Sequence, residues 1–164
     1  MDRLELIGGV MKFCKFWVFL FIMCFIAFNA AAQMSREDLQ QMYLTHLKEE
    51  GYQPEIDSDG DIKFKAEGRT LYIIVYEDDL DFFQIIYPNF WEIESEAERE
   101  KVASVASYVT RTTKVAKVYM TRADDTSISA EIFIEKPENF KTSFKRMIDV
   151  ILLARREFIE KMNE

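Results

Sequence analysis

Cysteine and histidine are the scarcest chemically reactive residues in this sequence. Its 164 residues include 2 cysteines, Cys14 and Cys24, and a single histidine, His46. No cysteine follows residue 32, which excludes thiol catalysis and cysteine metal sites in the rest of the chain. A lone histidine cannot build a zinc site without further ligands, so we expect no metal. Without cysteines after residue 32, the core must be stable without disulfides.

Glycine is also scarce, and each glycine after residue 32 has a conformational role. The chain contains 5 glycines; Gly51 follows a helical pattern, while Gly60 and Gly68 fall in predicted turns. Neither a glycine loop that cradles phosphate nor the Gly-x-Ser-x-Gly turn of serine hydrolases is present. We therefore expect no catalytic residues, no cofactor and no enzymatic activity.

Basic residues are outnumbered by acidic ones. The chain has 21 Lys and Arg against 29 Asp and Glu, and without residues 1–32 the balance is 18 against 27, a formal charge of −9. Phosphate backbones and anionic membrane surfaces attract basic proteins. The charge therefore argues against nucleic-acid and membrane-surface partners.

The longest hydrophobic run, Phe16–Phe28, is too short to span a membrane comfortably. It has 13 apolar residues, whereas a spanning helix needs roughly 20. Lys12 and Lys15 precede it, and Ala30-Ala31-Ala32 follows it with the small residues that a signal peptidase reads. Positive, apolar and small regions in this order are typical of a cleavable signal peptide.

This order predicts a signal peptide at residues 1–32, cleaved after Ala32, and a single periplasmic or secreted domain at residues 33–164. After cleavage the domain is not expected to insert into a membrane. An uncleaved anchor is the alternative. Met1 and Met11 both remain open as the start, since the segment from Met11 has the more usual charge pattern.

Residues 33–164 have the pattern of an α+β domain with three helices and an antiparallel sheet of five to six strands. Ser35 opens the first helix and Ser95 the second, each as an N-cap. The predicted order is α-β-β-β-β-α-β-β-α, and short turns between strands imply antiparallel neighbours. Strands are predicted at 53–57, 61–66, 70–76, 82–87 (stopped by Pro88), 115–121 and 127–135, and the last helix follows Lys136-Pro137 and runs to about Met162.

The acidic segment Asp57-Ser58-Asp59-Gly60-Asp61 has two interpretations. It resembles a calcium loop in composition, but an EF-hand needs Gly at the sixth position and Glu at the twelfth. Asp-Gly between two alternating runs is instead typical of a tight hairpin turn. We therefore predict a turn here.

Alternation divides the predicted strands into two faces. One is almost wholly aliphatic and should pack against the helices. The other mixes aromatic and polar side chains, a composition favoured at protein–protein contacts. The candidate partner-binding residues are Tyr72, Ile74, Tyr76, Tyr119, Phe133 and Trp91.

Two segments resemble the YbjN-like family of bacterial domains. Residues 51–65, GYQPEIDSDGDIKFK, resemble the opening hairpin of that family, and Lys117-Val118-Tyr119 with Ala130-Glu131 resembles its second half. The resemblance implies a fold like that of type III secretion chaperones and a sensory or regulatory role, with no catalytic residues. Those chaperones are cytoplasmic, so the predicted export signal argues against the same role here.

Together these features favour an exported, non-catalytic module that binds a protein or peptide in a regulatory or chaperone-like role. Self-association as a homodimer or a structural envelope protein is the first alternative. A small-ligand carrier is the second, and it would need a deep polar pocket.

Overall fold

A computed structural model describes residues 34–164, so the predicted signal peptide and its cleavage site lie outside the described residues. The elements of this part are α1 (Arg36–Glu49), β1 (Glu55–Ile56), β2 (Ile62–Ala66), β3 (Arg69–Ile73), β4 (Phe82–Glu92), α2 (Glu96–Thr112), β5 (Ala116–Met120), β6 (Asp125–Phe133), a short 3₁₀ turn (Pro137–Asn139) and α3 (Phe140–Met162). Among residues 34–164, no helix is long and apolar enough to cross a membrane.

The six strands form one sheet in the order β1-β2-β3-β4-β6-β5. Every neighbouring pair is antiparallel. The predicted α+β class, element order and strand number are therefore confirmed. The sole departure from chain order is the pairing of β4 with β6, because α2 and β5 intervene between them in sequence.

The first helix begins and ends where its sequence signals predict. The Ser35 hydroxyl accepts the backbone N–H of Asp38, and the Asp38 carboxylate accepts the backbone N–H of Ser35, which satisfies two otherwise unpaired groups. After the helix, Gly51 has a φ of +87°, a conformation that glycine adopts without steric cost.

Each of the other two helices buries one apolar stripe. Ser95 caps α2 by accepting the backbone N–H of Glu98. The Glu98 carboxylate does not return the bond to Ser95; it accepts from the Trp91 indole and from the backbone N–H of Glu94 instead. The buried residues of α2 are Val102, Val105, Ala106 and Val109, and those of α3 include Phe140, Phe144, Met147, Ile151, Ala154, Phe158 and Met162.

The core lies between the helices and one face of the sheet. Of the predicted aliphatic face, Ile62, Phe64, Leu71, Ile73, Val75, Ala116, Val118, Ile128 and Ala130 are buried, while Met120, Ile132 and Ile134 are partly buried. Phe83 and Ile85 of β4 join them. Burial of this apolar area is the main stabilising contribution, as expected for a domain without disulfides.

The prediction that Pro88 stops the fourth strand is wrong. β4 continues to Glu92, and its pairing with β6 shifts between Tyr87 and Trp91. Pro88 lies in that irregular stretch, where a missing N–H breaks no regular ladder bond. Asn89 beside it has a φ of +51°, and its N–H donates to the Ser127 hydroxyl at 3.4 Å.

Candidate binding face of the sheet

The side of the sheet turned away from the core is the candidate site, called the open face below. One row across its centre is formed by Lys63, Tyr72, Ile86, Ser129 and Lys117, which follow one another in register across five strands. Glu55 of β1 continues the row beyond Lys63 and forms an ion pair with it at 2.8 Å, and Lys117 at the opposite end pairs with Glu131. The middle of the row is apolar or hydroxylic.

Five of the six predicted partner-binding residues share the open face. Tyr72 lies in the central row, and Ile74 and Tyr76 follow it at two-residue steps beyond β3, alternating with the buried Ile73 and Val75. Tyr119 pairs with Ser127 on the β5 side, and Phe133 ends β6. The alternation of apolar and polar residues therefore predicted this surface.

Trp91 does not lie on the open face, contrary to the prediction. Its ring is 5.7 Å from the Phe158 ring of α3, and its indole N–H donates to Glu98 at 2.9 Å. The adjacent Phe90 also contacts Phe158, with ring centroids 5.0 Å apart. Both aromatic rings thus close the end of the core rather than extend a binding surface.

One corner of the open face carries three aromatic rings in contact, those of Tyr76, Phe82 and Phe133. We call it the aromatic corner. Phe82 connects the other two, with its ring centroid 5.3 Å from that of Tyr76 and 5.6 Å from that of Phe133. Phe133 is 81% exposed, the highest fraction among the large exposed hydrophobic side chains of the described residues. Leaving such a side chain in water forfeits about 1.5–3 kcal/mol that burial would supply.

A hydrogen-bonded polar network adjoins the aromatic corner. The Tyr76 hydroxyl donates to Gln84 Oε1 at 2.7 Å, and Gln84 Nε2 donates to Glu131 Oε1 at 3.0 Å. Glu131 Oε1 also accepts from the Ser129 hydroxyl at 2.7 Å, while its other oxygen pairs with the Lys117 ammonium. These bonds fix the side chains in one arrangement, so this part of the open face is preorganised.

The charges of this network are set by burial and by its hydrogen bonds. Burial alone would raise the pKa of Glu131, but the bonds from Lys117, Ser129 and Gln84 lower it overall, so the carboxylate is ionised at neutral pH. Burial raises the pKa of Tyr76 and of Tyr119 above the ordinary value. Both phenols therefore stay neutral and can donate hydrogen bonds.

The predicted hairpin turn at residues 57–61 is confirmed, and its carboxylates serve the backbone. Asp57 Oδ1 accepts the N–H groups of Asp59 and Asp61 at 2.9 Å each, and Asp61 Oδ1 accepts the N–H of Val75 at 2.9 Å. Within residues 34–164, no three His, Cys, Asp or Glu side chains are grouped as metal ligands.

Three residues of the open face were not identified from the sequence: Phe82, Gln84 and Ile86. They belong to Phe82-Phe83-Gln84-Ile85-Ile86. Apolar residues are adjacent in this segment, so an alternation of apolar and polar residues does not show which side chains face the core and which the open face. Gln84 is buried at 8% exposure although it is polar. A single Gln in an otherwise apolar strand could have indicated a side chain held by hydrogen bonds, as Gln84 is by Tyr76 and Glu131.

Comparison with known proteins supports the fold and nothing finer. No family model matches the chain, and no curated protein matches it significantly. Among solved structures, an uncharacterized protein from Methanothermobacter thermautotrophicus is similar, with a TM-score of 0.51 and 15% sequence identity. The match covers 76% of this chain and 99% of that chain. At this identity the two share a fold.

Proposed function

We propose that this domain binds a protein or peptide through the open face of its sheet. The observation that carries the proposal is the exposure of Phe133, 81%, on the aromatic corner. Aromatic side chains beside fixed polar groups are the composition enriched in protein-binding surfaces. Phe133 is the expected anchor, because a partner that covers it removes the most exposed large hydrophobic side chain of the described residues from water.

The mode of binding follows from the two parts of the face. The aromatic corner offers apolar contact, and the network around Glu131 offers Lys117 and Tyr76 as polar contacts at its border. Glu131 already accepts several hydrogen bonds and is ionised, which does not suit a general acid at neutral pH. We therefore propose a non-catalytic module.

The cellular setting of the proposal is export. We propose that residues 1–32 are removed as a signal peptide and that the domain acts in the periplasm or outside the cell, in a regulatory or chaperone-like role akin to that of YbjN-like domains. The test is N-terminal sequencing of the native protein. A mature N-terminus at Gln33 supports export with cleavage, whereas an intact Met1 or Met11 terminus in membranes indicates an anchor.

Site-specific photo-crosslinking tests the binding proposal. The full chain is expressed in its native cells with a photoreactive phenylalanine analogue in place of Phe133 or, as the control, in place of Tyr108. Tyr108 is an exposed aromatic residue at 38%, on helix α2, which packs on the other side of the sheet. We expect crosslinks to another protein from position 133 and none to that protein from position 108.

The outcomes separate the proposal from self-association. Crosslinks from position 133 only to a second copy of this chain would favour the homodimer. Equal crosslinking from both positions, or none from position 133, would overturn the open face as the binding surface. Phe133→Ser should weaken capture of the crosslinked partner, while Ile56→Ser, at an exposed apolar residue of β1, should not.

A further inference from the structure

A groove on the other side of the molecule has no role in the proposed function. It lies between the C-terminal end of α2, the start of β5 and the outer surface of α3, and it has a volume of about 500 Å³. Its apolar wall is formed by Val115, Ile132, Met147, Val150 and Leu153. This volume is within the range of small-molecule sites, roughly 300–1,000 Å³. We call it the helix-side groove.

Val115 gives the helix-side groove a strained backbone. Its φ is +56°, in the left-handed region that branched side chains rarely adopt, and its side chain is 50% exposed. The sequence thus holds an apolar, β-branched side chain in an unfavourable conformation at the mouth of a groove. Strained residues of this kind persist where the surrounding structure fixes them, and they cluster at binding sites.

The border of the groove carries an excess of positive charge. Arg146 and Lys114 both line it, and among residues 34–164 neither forms an ion pair. The third charged residue there is Glu157, whose carboxylate accepts a hydrogen bond from the Thr113 hydroxyl at 3.5 Å. An occupant with an apolar body and one negative charge would complement this border, because an arginine fork pairs well with a carboxylate.

We propose that the helix-side groove binds an amphipathic carboxylic acid, with its hydrocarbon chain against Val115, Val150 and Leu153 and its carboxylate on Arg146. Val115 contributes apolar area at the mouth, which explains why a branched side chain stands at a position suited to glycine. The groove faces away from the open face, so this site is independent of the proposed partner surface.

Isothermal titration of the full chain with decanoate, below its micelle concentration, tests the site. Decanol and decyltrimethylammonium serve as neutral and cationic probes. We expect decanoate to bind and both other probes to bind roughly tenfold or more weakly, because they lack the anionic head. Arg146→Gln should weaken decanoate binding by a similar factor. Lys145→Gln removes the same charge from the preceding residue of α3, which is exposed and does not line the groove, and it should leave decanoate binding unchanged.

Val115→Gly supplies a second measurement that does not depend on Arg146. Removing the branched side chain should raise the thermal unfolding temperature, since the strain is relieved, and should weaken decanoate binding. Absence of decanoate binding, equal affinity for the three probes, or equal effects of Arg146→Gln and Lys145→Gln would each overturn the proposal. So would a concentration-dependent dimer that Leu153→Glu dissociates, because a second copy would then occupy the groove.

Discussion

The Thr110 hydroxyl binds both backbone groups of Val118. It accepts the Val118 N–H at 2.8 Å and donates to the Val118 carbonyl at 3.2 Å. Val118 is the central residue of β5, an edge strand, and Thr110 belongs to α2. The side chain thus occupies the position that a further strand would take. Exposed strand edges promote aggregation, and this contact closes the edge at its middle.

Thr110→Val should destabilise the domain, because it retains the shape of the side chain but leaves two partly buried backbone groups without a partner. The expected loss is about 1–3 kcal/mol in the free energy of unfolding, measured by urea denaturation. Thr112→Val is the matched control, since within residues 34–164 the Thr112 hydroxyl bonds only to carbonyls of its own helix. An equal loss in both variants would show that the edge contact has no special role.

Stability should fall in mildly acidic solution because of His46. Its ring is buried between Phe140 and Phe144, at 5.0 and 5.2 Å, and within the described residues Nε2 has no hydrogen-bond partner. Burial, aided by Lys141, lowers the pKa of His46 below its ordinary value of 6.5, although Glu49 and Glu50 act in the opposite direction. The unfolded chain therefore binds a proton more readily than the folded one.

The sign of the pH effect follows from that difference. The contribution of neutral His46 is fully present above pH 6.5 and is lost as the pH falls through the lower folded-state pKa. The free energy of unfolding, measured by urea denaturation from about pH 8 to about pH 5, should decrease in this window by at most about 1.4 kcal/mol per pH unit for one proton. His46→Phe should flatten the decrease, and an unchanged profile would assign it to other groups.

Two turn glycines should respond differently to the same substitution. Gly60 and Gly68 have φ values of +85° and +75°, so alanine at either should cost about 1–2 kcal/mol. A Cβ on Gly60 would also approach the Arg36 guanidinium to 2.7 Å and disturb its bond to the Asp59 carbonyl, whereas nothing lies within 4 Å at Gly68.

Thermal denaturation should therefore show a larger loss for Gly60→Ala than for Gly68→Ala. In an Arg36→Ala background the two losses should become similar, because the contact that distinguishes them is gone. A difference that persists without Arg36 would contradict this account.

Tyr76→Phe should weaken the polar network of the open face. The variant removes the hydroxyl that donates to Gln84 at 2.7 Å, at an expected cost of about 0.5–1.5 kcal/mol in unfolding free energy. Tyr72→Phe removes the same group from the same face, where the described residues give its hydroxyl no hydrogen-bond partner, and should cost less. Chemical denaturation of both variants measures the difference, and an equal cost would count against a network role for Tyr76.

The helices and the buried strand face were predictable because local signals and periodicity agree. Ser35 and Gly51 mark the ends of α1, and the alternation of Ile62, Phe64 and Ala66 places each of them in the core. The local conformational preference of each of these residues agrees with its place in the tertiary structure, so the sequence pattern is enough to predict the element and its buried face.

The errors arise at β4, where tertiary pairing overrides the local signal. Pro88 ordinarily ends a strand, but the shift in pairing with β6 tolerates it. Regular alternation would place Phe90 and Trp91 on opposite faces, yet both contact Phe158. The pairing of β4 with β6 depends on residues far apart in the chain, which no local pattern reveals.

That pairing has a consequence for how the domain folds. Strands β1 to β4 can form as successive hairpins, and so can β5 with β6, but Gln84 and Glu131 are 47 residues apart in sequence and meet only when β4 joins β6. Contacts of such separation form slowly, because the entropy of closing the intervening loop opposes them. The aromatic corner and the polar network both span this junction, so the open face is complete only after β4 has joined β6.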